Sequence, residues 1–445
     1  MKILCISLGC DKNLVDTEKM LGILGAGGYS FTDSEEEADI VLINTCCFIN
    51  DAKEESVNTI LEMAKLKESG RIRALIVSGC MAQRYQEEIL SEVPEVDAIV
   101  GTASYDEIRA VLDRVLGGEK VSCFHGLSSL PDVREKRRIT TGGHYAYLKI
   151  AEGCDKRCTY CIIPSLRGPY RSVPMEKLLE EARYLADQGV KELIMVAQET
   201  TVYGVDLYGK KCLPDLLRRL AGTEGFAWIR LLYCYPEEIT DELIEVIRTE
   251  PKVCHYLDIP IQHASDRILR RMGRRTSQRE LRERIAAIRE RIPDIALRTT
   301  LISGFPGETQ EDHEELYRFV NEMEFDRLGV FAYSAEEDTP AAAYPDQVPE
   351  EIRESRRDEL MELQQEIAFE NAEKMKGRVL DVLIEGCVAD ENVCVGRTYR
   401  DAPDVDGLIF VNSAAPLLSG EFRRVRVTGA FEYDLTGELI DEFTE

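Results

Sequence analysis

Nothing in this chain approaches the roughly 20 consecutive apolar residues needed to cross a bilayer. Its opening run, MKILCISLGC, soon gives way to Asp11, Lys12 and Asn13, without the length or flanks of a secretory signal. No membrane contact is expected, and the cytoplasm is the expected location. Collagen-like repeats and long disordered stretches are also missing. Positive charge is scarce: 55 Lys and Arg face 82 Asp and Glu, a formal net charge of −27. That balance disfavours non-specific attraction to nucleic acid and favours a basic partner, while leaving room for a local basic groove.

Length and cysteine are what the chain has in quantity. At 445 residues it exceeds one ordinary core, so two to four domains are expected. Fourteen cysteines in a reducing compartment are not expected to form structural disulfides, which leaves metal or redox chemistry for some of them. Cys5, Cys212, Cys234 and Cys254 stand in apolar or helical contexts and read as small core residues.

Residues 1–125 alternate the runs KILCIS, DIVLINT, ALIVSG and DAIVG with helix-like stretches at 13–25, 52–67, 83–93 and 105–116. Continuous apolar strands separated by helices predict a doubly wound parallel α/β sheet. Residues 126–143 read as a linker whose basic run (Arg134, Lys136, Arg137, Arg138) is either a solvated arm or a substrate-facing patch. Over 144–348 six further apolar runs alternate with helices and predict a partial or full (βα) barrel. A charged helix over 349–376, with Gly377 as its C-cap, connects to a small all-β, OB-like barrel over 377–445.

The segment EGCDKRCTYCIIP places Cys154, Cys158 and Cys161 on the loop after the first barrel strand. Three thiolates so close in sequence hold three corners of a cubane and leave the fourth iron open, whereas a closed zinc site wants four ligands. Cys10, Cys46 and Cys80 each follow the carboxyl end of a predicted parallel strand. Those ends share one edge of an open sheet, so the three thiols can converge; the alternative is three buried core cysteines. Gln198 and Glu199 end the second barrel strand, where a carboxylate can accept from an ammonium group or serve a helix N-cap. In TTLISGFPGET, preceded by Arg298, Ser303 and Gly304 open a turn where backbone can approach a ligand closely. Glu308 is either a ligand or a charge near an N-cap, and Asp258 and His263 lie at another strand end, lining the cavity or serving structure.

The spacing Cys-x-x-x-Cys-x-x-Cys, with Tyr160 before the last Cys, resembles the radical S-adenosylmethionine (SAM) superfamily. That resemblance implies a 4Fe-4S cluster on Cys154, Cys158 and Cys161 as the catalytic group. Its open iron chelates SAM, and one electron cleaves SAM to a 5′-deoxyadenosyl radical. Tyr160, Gln198, Glu199, Arg298, Ser303 and Gly304 are then the expected cofactor contacts. SLGC, NTC and SGCMA resemble the N-terminal domain of methylthiotransferases, which implies a second 4Fe-4S cluster on Cys10, Cys46 and Cys80. Two departures stand out. Cys47 follows Cys46 where that family usually has a small residue, so a swap of ligand is open, and Glu199 replaces the more usual Asp.

The resemblance runs over nearly the whole chain, ending in a TRAM-like module, and implies a substrate that is either a transfer RNA adenosine or a ribosomal protein side chain. Residues 377–445 carry six Arg, no Lys and fourteen Asp or Glu, a net charge of −8 that repels RNA and suits a basic protein. The strings SLGCDKNLVDTE, CIIPSLRGPYRS, LLYCYPEEIT and LDIPIQHASDRILRRMGRR resemble the ribosomal-protein branch of the family. The implied reaction adds a methylthio group to the β-carbon of an aspartate in small-subunit ribosomal protein twelve, free or within the ribosome. A second SAM gives the methyl group, and flavodoxin or ferredoxin is the expected electron donor. The nearest alternative, a tRNA adenosine methylthiotransferase, would use Arg267, Arg270, Arg271, Arg274 and Arg275. A non-catalytic iron–sulfur carrier or scaffold is a further reading, which the barrel and TTLISGFPGET oppose.

Overall fold

The computed structural model describes residues 1–388, 391–413 and 417–440; the last part of the expected terminal module lies outside the described residues. The first unit is a six-stranded parallel sheet of β1 (Lys2–Ser7), β2 (Ser30–Thr32), β3 (Ile40–Thr45), β4 (Ala74–Gly79), β5 (Ala98–Val100) and β6 (Val121–Cys123), in the order β2-β1-β3-β4-β5-β6. β3 and β4 are buried along their whole length, as their unbroken apolar runs require. α1 (Asp11–Ala26) and α5 (Ile108–Leu116) cover one face, while α2 (Asn50–Glu68), α3 (Cys80–Tyr85) and α4 (Glu87–Glu92) cover the other. The sheet is doubly wound, as expected. Two edge strands and a break at Gln86, with φ 38°, were not anticipated: β2 and β6 have three residues each, too short to show a period.

The central unit holds β7 (Tyr145–Lys149), the short β8 (Ala151–Glu152) and β9 (Arg171–Ser172), then β10 (Glu192–Val196), β11 (Trp228–Leu231), β12 (Tyr256–Asp258), β13 (Ala296–Ser303) and β14 (Arg327–Ala332). β7, β10 and β11 pair in parallel, as do β12, β13 and β14, and a parallel bridge from Ile229 to Val253 joins the two halves. The result is a partial barrel of six parallel strands. Its helix-facing core includes Leu148, Leu193, Leu216 and Ile285. Tyr147, Ile194, Val196 and Tyr256 form a second cluster that Val15 of α1 completes, so the first unit packs into the barrel.

The connecting helix runs Glu350–Glu373 and stops before Gly377, which instead donates its N–H to Val427 as the chain enters the last unit. There β15 (Val379–Cys387), β16 (Val393–Arg397), β17 (Ile409–Asn412), β18 (Phe422–Phe431) and β19 (Asp434–Leu439) close a barrel. Cys387 and Cys394 face each other across β15 and β16 and are disulfide-bonded. This corrects the expectation of no disulfides: antiparallel pairing apposes two thiols whose seven-residue separation gave no warning.

The terminal barrel docks on the amino ends of the central strands through ions. Glu192, the first residue of β10, accepts from Arg230 of β11 at 2.6 Å and lies 2.7 Å from Arg397 of β16, all three fully buried. Asp406 accepts from the Tyr256 hydroxyl at 2.6 Å and lies 3.3 Å from Arg298. Asp401 takes Arg327, and Arg400 takes Asp326. In the linker Arg137 is buried between Glu18 at 3.4 Å and Glu181 at 3.1 Å, whereas Lys136 pairs with Glu180 at the surface and Arg134 is exposed. No helix among the described residues is long and apolar enough to cross a membrane.

Removing one partner of a buried ion pair strands the other charge. Glu192→Ala is expected to cost about 3–5 kcal/mol in denaturant unfolding and to expose the terminal barrel to limited proteolysis. A loss below about 1 kcal/mol with unchanged proteolysis would show that Glu192 does not hold the dock.

Candidate active site

The first cysteine set lies on the loop between β8 and β9, whose antiparallel pairing clamps both ends of residues 153–170. Gly153 opens it at φ +80°, where a Cβ would run into the carbonyls of Gly168 and Pro169. Cys154 donates its N–H to Gly168 at 3.1 Å, and Cys161 donates to Cys158 at 3.1 Å. Cys154 and Cys158 are buried and Cys161 is half-buried. Burial pushes the Cys154 thiol up to about 11 and raises Cys161 further, each with a push from neighbouring thiols. Tyr160 is half-buried and packs beside Phe305 and Tyr333. Lys156, inside the loop, is gripped by Glu238, with Glu199 at 3.5 Å and Glu237 at 3.8 Å.

The second set converges as strand geometry requires. Cys10 is the N-cap of α1, Cys46 follows β3, and Cys80 starts α3. β1, β3 and β4 are neighbours in register, so the three residues share one sheet edge. Gly9, at φ +84°, has room only for hydrogen: a Cβ would sit 2.8 Å from the Cys46 Sγ. Burial pushes the Cys46 thiol up to about 12, with Cys80 and Cys10 adding to the rise. Burial also raises Cys80, which Arg167 opposes. Cys47 belongs with Ile43, Ile60 and Val77 in the apolar core, and burial raises its thiol too. It is Cys46 that sits against Gly9, beside Cys10.

One loop touches both sets. Tyr233, at φ +59°, donates its N–H to Asp258 at 2.9 Å, and its hydroxyl lies 3.3 Å from Asp11. The Lys12 ammonium, two residues past Cys10, lies 3.3 Å from the Tyr233 ring centre. Two residues on, the Tyr235 hydroxyl lies 4.0 Å from the Cys158 Sγ, and Arg274 stacks on its ring at 4.2 Å. A left-handed tyrosine is costly and persists where surroundings over-determine it. Neither tyrosine was singled out from sequence, because LLYCYPEEIT carries no spacing rule.

The expected SAM contacts are spread along the barrel. Gln198 donates to Glu152 at 2.9 Å, and its buried carbonyl oxygen has no hydrogen-bond partner among the described residues. Glu199 is buried, accepts from Thr201 at 3.2 Å and faces Lys156. Burial lifts its carboxyl to about 7 against the pull of Lys156. The N-cap reading of this segment does not hold, since the next helix begins at Val205. Arg298 is engaged by Asp258 at 3.0 Å and by Asp406, toward the docked terminal barrel. Ser303 donates to the carbonyl of Arg353, and a Cβ on Gly304 would collide with the Arg353 side chain. The close approach that Gly304 permits is therefore to the connecting helix. Glu308 accepts from Gly304 N–H at 2.8 Å and pairs with Arg356 and with His263 at 3.3 Å. His263 is wholly buried and accepts at Nδ1 from Ser265, which makes it structural.

Among the described residues no three His, Cys, Asp or Glu side chains close on the position of a single ion. A cubane asks for something else, since each thiolate takes a different iron. Two triads of mutually neighbouring thiols, largely buried and soft, fit that demand.

The chain matches the description "Uncharacterized protein family UPF0004" over residues 2–101, the radical SAM superfamily over 148–320 and the TRAM domain over 377–440. It is 63% identical to the ribosomal protein uS12 methylthiotransferase RimO of Lachnoclostridium phytofermentans, over 98% of this chain and 99% of that one. The chain belongs to the RimO family. A second RimO, from Pelotomaculum thermopropionicum, is 52% identical over 99% of both chains. RimO enzymes are radical SAM methylthiotransferases, and SAM with an iron–sulfur cluster comes with that membership. The fold is also similar to that of the radical SAM methyltransferase TsrM from Kitasatospora setae, with TM-score 0.56 and 13% identity over 76% of this chain and 73% of that one.

Cys10 is exposed and Cys46 is buried with its thiol held protonated. In the metal-free chain at pH 8, iodoacetamide should therefore label Cys10 at least about tenfold faster than Cys46, as read by peptide mass spectrometry. Equal rates would contradict the buried position of Cys46.

Proposed function

We propose that this chain adds a methylthio group to the β-carbon of an aspartate in ribosomal protein uS12, using two 4Fe-4S clusters, one on Cys154, Cys158 and Cys161 and one on Cys10, Cys46 and Cys80. The observation that carries the reading is the loop at Tyr233–Tyr235, which touches Lys12 beside Cys10 at one end and Cys158 at the other. It supports two thiol sets serving one space. When bound, the barrel cluster supplies reductive cleavage of SAM, the chemistry an unactivated C–H bond needs because it has no acidic proton for a base.

The chain's own residues do the holding. Gln198 keeps a buried carbonyl oxygen free to accept from SAM, and Glu199 offers its carboxylate to the SAM ammonium in exchange for Lys156. Tyr160, on the cluster loop, packs with Phe305 and Tyr333, and Ser303 and Gly304 hold the connecting helix at Arg353. Arg298 holds Asp258, which in turn holds Tyr233 in its left-handed conformation. Cys46, rather than Cys47, is the third ligand beside Cys10 and Cys80. The electron donor is a flavodoxin or ferredoxin, and the enzyme works in the cytoplasm.

A protein substrate fits the charges better than tRNA. Of the five arginines a tRNA would need, Arg267 is paired with Asp312, Arg271 with Asp346, and Arg274 is buried on Tyr235. In the terminal barrel, Arg397 and Arg400 are spent on docking. Arg378, Arg423, Arg424 and Arg426 stay exposed among the carboxylates of that module, whose overall charge is −8.

Reconstituted anaerobically, the chain should bind about eight irons, and the triple Cys154/Cys158/Cys161→Ala variant about four, with SAM cleavage abolished. An intact, reduced chain that fails to cleave SAM would refute the reading. Glu199 must be ionised to hold an ammonium. Its carboxyl titrates near 7, so SAM binding should weaken as pH falls from 8 to 6, by up to about tenfold per unit. Glu199→Gln should bind SAM about 1.5–3 kcal/mol more weakly with a flat pH profile; a retained slope would exclude Glu199 as the contact.

A further inference from the structure

Arg167 lies on the short helix Ile163–Arg167, six residues past Cys161, and is 2% exposed. Its guanidinium leaves the barrel and enters the first unit. There it donates to Asp16 at 2.6 Å and to the side-chain oxygen of Asn13, and it reaches back to Glu152 at 3.2 Å. That same Asn13 oxygen lies 3.9 Å from the Cys80 Sγ. Asn13 cannot swing away, because its amide nitrogen is fixed by the carbonyls of Leu8 and Thr45. Arg167 and Cys80 thus meet on one atom, the Asn13 oxygen, which sets the cation beside the thiol.

We propose that Arg167 is a positioning residue for the cluster on Cys10, Cys46 and Cys80, raising its reduction potential by holding a positive charge beside the Cys80 thiolate through Asn13. The inference rests on the two-cluster reading above. Hydrogen bonds and positive charge at a cluster's sulfurs stabilise the reduced, more negative state. Arg167 also stands on the loop that carries the other thiol set, so it ties the Cys80 environment to the barrel site by a covalent path of six residues. The guanidinium is planar and always charged, and its forked donors serve Asn13, Asp16 and Glu152 at once, a task a single ammonium meets only in part.

The test uses the full chain, iron-loaded, carrying Cys154/Cys158/Cys161→Ala so that only the N-terminal cluster reports. Arg167→Gln should lower the midpoint potential and change the electron paramagnetic resonance line shape of the reduced cluster, with Arg167→Lys in between. A merely structural role moves neither in molecules that still hold about four irons. Unchanged potential and spectrum at full loading would overturn the proposal. Where the variants lose the cluster, the parent chain grown with ¹⁵N-arginine still decides. Pulsed resonance should detect a ¹⁵N coupling to the reduced cluster, and its absence would overturn the proposal. A parent chain that binds no iron in this background would instead defeat the two-cluster reading itself.

Discussion

Lys149 of β7 donates to Asp16 of α1 and, at 2.6 Å, to Glu152 of β8, and Arg167 closes the same group from the cluster loop. All four side chains are buried, and each comes from a segment that also positions a cysteine. Cys10 is the N-cap of α1, β8 leads into Cys154, and Arg167 follows Cys161. Burying four charges is expensive unless every one is paired, so the group tolerates only one relative placement of the two units. Thiol sets on separate units can act on one substrate atom only when that placement is fixed. Apolar packing of Val15 against Tyr147 and Ile194 supplies much of the driving force; the ions supply the register.

The opposite end of the barrel is closed by the same means. Glu192 with Arg230 and Arg397, and Asp406 with Arg298, pin the terminal barrel across the amino ends of the strands. The cluster loop stands at the carboxyl ends, where barrel enzymes keep their chemistry. The terminal module is therefore bound to the central unit by its own arginines and carboxylates alike, and its overall charge of −8 suits a basic ribosomal protein.

Local spacing made Cys154, Cys158 and Cys161 legible, because one short loop holds all three. Cys10, Cys46 and Cys80 were legible only through the fold: apolar runs placed each at a strand end, and parallel order brought the ends together. Interactions between units were not legible. Arg167, Lys149 and Tyr233 carry no spacing signal, since their partners on the first unit lie 133 to 222 residues away: Asp16 for Lys149 and Arg167, and Asp11 for Tyr233. The glycines misled in one place. Gly304 reads as a ligand-facing turn, yet it is the connecting helix that fills the space. β2 and β6 escaped because short edge strands leave no apolar period, and β19 because its run, DLTGEL, is largely polar.

The central claim is that two thiol sets locked across one junction modify a protein and not an RNA. Mass spectrometry of uS12 and of total tRNA nucleosides, from cells with and without this chain, tests it most directly. The account predicts that the methylthio group on the uS12 aspartate disappears while every tRNA modification persists. Loss of a methylthiolated adenosine with uS12 unchanged would contradict it.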